Sequence, residues 1–162
     1  MNIPAPIPAP AGNVSLVAYE PQYKAAFRNL NEEWISRYFR MEPADYEALD
    51  HPEEKILAKG GAIVVALLDG VPVGVCALLH HAGEWELAKM AVAPAAQGRR
   101  IGFLLGQRII DLAREKGASV LFLESNTVLE PAIRLYHKLG FVEVPKKPSP
   151  YERSNIRMER TL

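Results

Sequence analysis

Disulfide bonds are the first thing this sequence excludes. It has a single cysteine, Cys76, so no bridge can form within the chain, and a thiolate zinc site lacks a second ligand. Cys76 lies in the apolar stretch 71–79, a setting for a small buried hydrophobe rather than a nucleophile. Neither charge is in excess, since 19 Lys and Arg balance 19 Asp and Glu. A broad nucleic-acid surface needs surplus cations to displace counterions, so no nucleic-acid partner is expected, while a local basic patch stays open. No apolar run approaches the length that spans a bilayer, and no membrane partner is expected. The opening stretch MNIPAPIPAPAG lacks the basic-then-apolar layout of a secretory signal, which makes a cytoplasmic location the expectation.

What is present fits one soluble domain of 162 residues, with 49% hydrophobic and 23% charged positions. The alternating prolines of residues 1–12 predict an extended, poorly ordered arm, leaving 13–162 as the domain. No internal repeat is visible. Val14 to Tyr19 reads as a strand. From Pro21 to Phe39, Tyr23, Phe27, Leu30, Trp34 and Tyr38 recur at helical spacing. Shorter helices are expected over 43–49 and from Pro52 to about Lys59. The period then changes. AIVVALLDGVPVGVCALLHH is two apolar runs split by Asp69-Gly70, a strong hairpin signal, and EWELAKMAV follows as a third strand. A helix from Ile101 to Gly117, the strand ASVLFLES, a helix over 131–139, the strand FVEV and the final strand NIRMERTL, placed at an edge, complete the chain. The strand–helix–strand portion implies two parallel neighbours, hence a mixed sheet covered by helices.

The stretch QGRRIGFL joins a strand to a helix. Such a turn aims unpaired backbone N–H groups at one point, helped by the positive end of the helix dipole, and suits a pyrophosphate. Gly98 and Gly102 allow close approach of the backbone. ELAKMAVAPAAQGRRIGFLL, with Gln97, Arg100 and Gly102, resembles the central motif of the GNAT N-acetyltransferase superfamily. LFLESNTVLEPAIRLYHKLGF, with Asn126, Tyr136 and Gly140-Phe141, resembles its following strand, turn and helix. The likeness runs from about Val14 to Leu162. It implies an α/β (α+β) fold with a mixed, mostly antiparallel sheet of about six or seven strands flanked by about four helices. The implied cosubstrate is acetyl-CoA, with no metal, and the implied acceptor is an amine on a small molecule, peptide or protein.

By the same resemblance, the backbone of Met90, Ala91 and Val92 pairs with the pantetheine arm, while Gln97, Gly98, Arg99, Arg100, Ile101 and Gly102 receive the pyrophosphate. Arg100 departs from the family pattern. A side chain there is strained if the position needs a positive φ and unstrained in a first helical turn; the second is expected, with Arg99 or Arg100 adding a charged contact. Asn126 is expected to contact the cofactor, its alternative being a turn or cap residue.

Direct acetyl transfer through a tetrahedral intermediate needs a neutral amine, a donor for the oxyanion and an acid for the thiolate. A backbone N–H near Met90 or Val92 is the candidate donor, and Tyr136 the family-matching acid. Glu86 sits where histone-type members carry a glutamate base; the alternative is a strand charge paired with Lys89 or an arginine. Glu124 and His80-His81 are further candidates, though adjacent histidines face opposite sides of a strand and make a poor metal pair. Acceptor recognition is expected from Tyr23 to Leu49, including Trp34, Tyr38 and Phe39, and from Tyr151, Arg153 and Asn155. An apolar edge near the C-terminus is compatible with a homodimer. Two other readings stay open: a non-catalytic acyl-CoA sensor, and a Rossmann-type enzyme, against which the glycine spacing and antiparallel preceding strands argue.

Overall fold

The computed structural model describes residues 13–162, and the arm expected over residues 1–12 lies outside the described residues. The chain begins with β1 (Val14–Ala18), a 3-10 turn at Pro21–Tyr23 and α1 (Lys24–Tyr38). Then come α2 (Pro43–Asp50), the short α3 (Pro52–Lys55) and a 3-10 turn at Leu57–Lys59. Three strands follow: β2 (Ala62–Leu68), β3 (Val71–His81) and β4 (Glu84–Val92). A 3-10 turn at Pro94–Ala96 leads into α4 (Ile101–Glu115), β5 (Val120–Ser125), α5 (Glu130–Lys138), β6 (Val142–Val144) and β7 (Ile156–Thr161).

The local reasons are legible. Asp69 and Gly70 both take left-handed φ (51° and 81°), the primed turn whose twist suits a two-residue hairpin. Ala82 and Gly83 repeat the device between β3 and β4 (51° and 76°). In α1, Phe27, Asn31 and Ile35 fall on one buried line. Asn31 is tolerated there because its amide donates to the Phe27 carbonyl and accepts from the Trp34 indole.

The sheet order is β1-β2-β3-β4-β5-β7-β6. Among the described strands β4 and β5 run parallel and the other neighbours are antiparallel. α4 and α5 cover one face, over a core that includes Cys76, Leu105, Leu121 and Phe141. α1, α2 and α3 cover the other, over Phe27, Leu49, Ile63 and Ala77.

Among the described residues five α-helices flank the sheet, in keeping with the expected architecture. One expectation is corrected. β7 is not an edge strand. It lies between β5 and β6, with Ile156 and Met158 buried, and the edge falls to three-residue β6 with Val142 exposed. A short edge offers little template for pairing with another chain.

Candidate active site

β4 and β5 pair only at Trp85↔Leu121 and Glu86↔Phe122. Beyond that point they separate, so the β5-facing edge of Leu87–Val92 has no neighbouring strand to satisfy its backbone groups. β4 is also irregular. Its register against β3 shifts between Val75 and Ala77, and Lys89 takes a left-handed φ of 55°. The gap opens into a continuous cleft of about 1080 Å³ that passes from the α4–α5 face to the α1–α2 face. That volume is large for a small-molecule site and leaves room for two ligands end to end.

The α4 end of the cleft gathers backbone amides with the geometry of an anion cradle. Gly98 (φ 84°) and Arg100 (φ 62°, ψ 18°) are both left-handed, and the helix starts directly after Arg100. The first intrahelical acceptor is the Arg100 carbonyl, bonded by the Leu104 N–H at 3.0 Å, so the N–H groups of Ile101, Gly102 and Phe103 lack helical partners. A left-handed residue followed by helical ones gathers successive N–H groups into a concavity for negative charge. The expectation that Arg100 sits unstrained in the first helical turn is therefore corrected. The helix starts directly after Arg100, whose left-handed backbone makes the entry. Arg100 lines the cleft with its guanidinium 5.1 Å from the Phe103 ring centre; Arg99 does not line it. Gln97 donates to the Val92 carbonyl at 3.3 Å and ties the turn to β4. Gly98 has open space where a side chain would stand, whereas at Gly102 a Cβ would lie 3.0 Å from the Leu135 side chain, which would have to shift.

Tyr136 projects from α5 into the cleft, edge-on to Phe141 with ring centres 6.3 Å apart. Among the described residues its hydroxyl has no protein partner. Burial, with a smaller contribution from nearby Cys76, raises its pKa and keeps it protonated at neutral pH, as an acid requires. Burial likewise pushes the Cys76 thiol up, so Cys76 is inert packing.

The opposite wall carries the carboxylates. By strand alternation Glu86, His81, Phe122, Glu124 and Arg157 face the α1–α2 side. The partner of Glu86 is His81, at 2.9 Å, rather than Lys89 or an arginine. That hydrogen bond raises the His81 pKa. His80 points the other way and stacks on Trp85, ring centres 3.9 Å apart. Glu124 accepts from the Ser149 hydroxyl. The Arg157 guanidinium lies over Phe122 at 3.8 Å and pairs with Glu84 at 3.0 Å. Among the described residues no group of three or more His, Cys, Asp or Glu side chains is placed to hold a metal ion.

Asn126 lines the cleft as a turn residue. Its Oδ1 accepts from the Val128 N–H at 2.9 Å and its Nδ2 donates to the Arg153 carbonyl at 2.8 Å. One amide hydrogen and one oxygen lone pair are left for any ligand. Met90 and Val92 line the α4 end, with Ala91 buried beside them. Of the aromatic acceptor candidates, Trp34, Tyr38 and Phe39 reach the cleft, and so do Tyr151 and Arg153; Asn155 instead bonds to Thr127.

Sequence reasoning missed one feature. Asp45, on α2, is fully buried and accepts from Lys89 Nζ at 2.5 Å, from both terminal nitrogens of Arg153 at 2.7 and 2.6 Å, and from the Glu42 N–H at 2.9 Å. The available signal was Lys89 itself, the charge interrupting the apolar stretch of β4.

The sequence matches the acetyltransferase (GNAT) family over residues 26–141. It is 30% identical over 152 residues to an uncharacterised N-acetyltransferase of Schizosaccharomyces pombe, covering 89% of this chain and 90% of that one. The fold is similar to that of a GNAT-family acetyltransferase from Staphylococcus aureus, with a TM-score of 0.84 and 20% identity over 92% of this chain and 99% of that one. It is also similar to a putative acetyltransferase from Salmonella typhimurium, solved with its cofactor acetyl-CoA, with a TM-score of 0.75 and 20% identity over 91% of this chain and 93% of that one.

Proposed function

The chain belongs to the acetyltransferase (GNAT) family, and on that premise we propose that it transfers an acetyl group from acetyl-CoA directly to the primary amine of a small molecule or peptide. The observation that carries this reading is the continuity of one cleft from an amide cradle on one face of the sheet to a wall of carboxylates on the other. The residues fit the cosubstrate. Amides at the start of α4 suit a pyrophosphate, and the unpaired edge of β4 suits an amide-bearing arm that pairs like a strand. Bound acetyl-CoA supplies the acyl group as a thioester.

The chain's own residues account for the rest. Glu86 takes the proton from the incoming ammonium, directly or through water, with His81 hydrogen-bonded beside it at 2.9 Å. A backbone N–H of the irregular stretch of β4 stabilises negative charge on the carbonyl oxygen. Tyr136 gives its proton to the departing thiolate.

The test is incubation with acetyl-CoA and a panel of primary amines, reading free thiol and acetylated product. Release that depends on one class of amine is the expected result. Tight CoA binding with no amine-dependent release would instead make the protein an acyl-CoA-binding module.

A further inference from the structure

Lys89 combines two unfavourable features. Its φ of 55° belongs to the left-handed region, where glycine would sit without strain. Its ammonium is buried, with the side chain only 5% exposed, and burial pulls its pKa down while Asp45 opposes that shift. A residue kept in a strained conformation with a buried charge is a reason to look for a role.

The contacts show what it joins. Nζ donates to Asp45 Oδ1 at 2.5 Å and to the Tyr151 hydroxyl at 3.0 Å, and lies 4.6 Å from the Tyr151 ring centre. Asp45 also receives both terminal nitrogens of Arg153. The Arg153 guanidinium stacks over Tyr151 at 4.5 Å and approaches Trp34 at 5.9 Å. Glu42, at the start of α2, accepts from the Glu152 N–H at 2.9 Å and from Arg153 at 3.2 Å. Three distant segments thus converge on one buried carboxylate: the irregular turn of β4, the start of α2, and the loop between β6 and β7. All four oxygen lone-pair sites of Asp45 are filled. Lys89 has one N–H and Tyr151 one O–H left over, and both residues line the cleft.

We propose that Lys89 is a positioning residue: anchored by Asp45, it pins Tyr151 and the loop before β7 against the irregular turn of β4, and so sets the shape of the acceptor end of the cleft. The consequence for turnover rests on the acetyl-transfer reading; the link itself does not. A glycine at this position would satisfy the backbone and lose the link. A lysine satisfies both.

The experiment uses the full chain with Lys89→Gly, Lys89→Met and Tyr151→Phe. CoA binding, measured by calorimetry, should persist in every variant, because the cradle at α4 is untouched although Lys89 lies on the β4 edge proposed to meet the pantetheine arm; this also reports correct folding. Amide hydrogen exchange should quicken at least about tenfold over residues 42–50 and 145–155 in both Lys89 variants, and less in Tyr151→Phe. Thiol release from acetyl-CoA, with hydroxylamine as a small probe acceptor, should fall about 100-fold in kcat, far more than KM for acetyl-CoA changes, in the Lys89 variants. A Lys89→Gly protein as protected and as active as wild type would overturn the proposal, reducing Lys89 to a backbone role. Unchanged exchange in both segments in every variant would do the same. If Lys89→Met fails to bind CoA, Lys89→Gly and Tyr151→Phe carry the test. Faster exchange in variants of a wild type that releases no thiol would uphold the link and count against acetyl transfer.

Discussion

Tyr136 is the acid of the proposed transfer, and its surroundings suit that task. It is held by α5, surrounded by apolar neighbours, and its hydroxyl has no partner among the described residues. Burial keeps it protonated, so it has a proton to give and no competing bond to break. Tyr136→Phe should lower kcat by about 10²- to 10⁴-fold, the range general acid catalysis supplies, with CoA affinity nearly unchanged. Single-turnover kinetics beside calorimetry would check both halves. Tyr136 and Glu86 both line the cleft, as their motif positions led one to expect, and their roles belong to the proposed transfer. The His81 partner of Glu86 was not legible, because strand register, not sequence separation, brings the two together.

At the scale of an element, the entry to α4 is where the proposed cosubstrate would place its pyrophosphate. Its left-handed Arg100 costs about 1–2 kcal/mol relative to glycine, a strain that gathers the following N–H groups. Arg100→Gly should therefore stabilise the fold by about 1 kcal/mol, read as a shift in denaturation midpoint. The same variant should bind CoA more weakly if the guanidinium touches phosphate and equally if the amides act alone; calorimetry in low and high salt separates the two. The motif located this turn in the sequence. The backbone conformation of Arg100 did not follow from it, since arginine has no preference for the left-handed region and the helix entry imposed it.

At the scale of the whole molecule, the buried cluster around Asp45 ties one helical layer to the sheet and to the loop before β7. Desolvation would raise the Asp45 pKa, but hydrogen bonds from Arg153 and Lys89 outweigh it and hold the carboxyl below its ordinary range. Its stabilisation is complete above the unfolded value of about 3.9 and is lost as pH falls through the lower folded value. Asp45→Asn should cost about 3–5 kcal/mol at neutral pH, as expected when a buried pair loses one partner. The gap from wild type should narrow as pH falls below about 4. Chemical denaturation of both proteins across that range is the measurement.

By itself the sequence determined the alternation of strands and helices, the Asp69-Gly70 hairpin, the amide turn ahead of Ile101 and the tyrosine of α5. Each depends on neighbours a few residues apart, where periodicity and turn chemistry act directly. Tertiary structure decided which strand forms the edge, where β4 and β5 part, and which charges meet in the interior. Lys89 and Asp45 are separated by 44 residues, and only packing α2 against the sheet brings them within hydrogen-bonding reach, at a place where a buried charge must find its opposite.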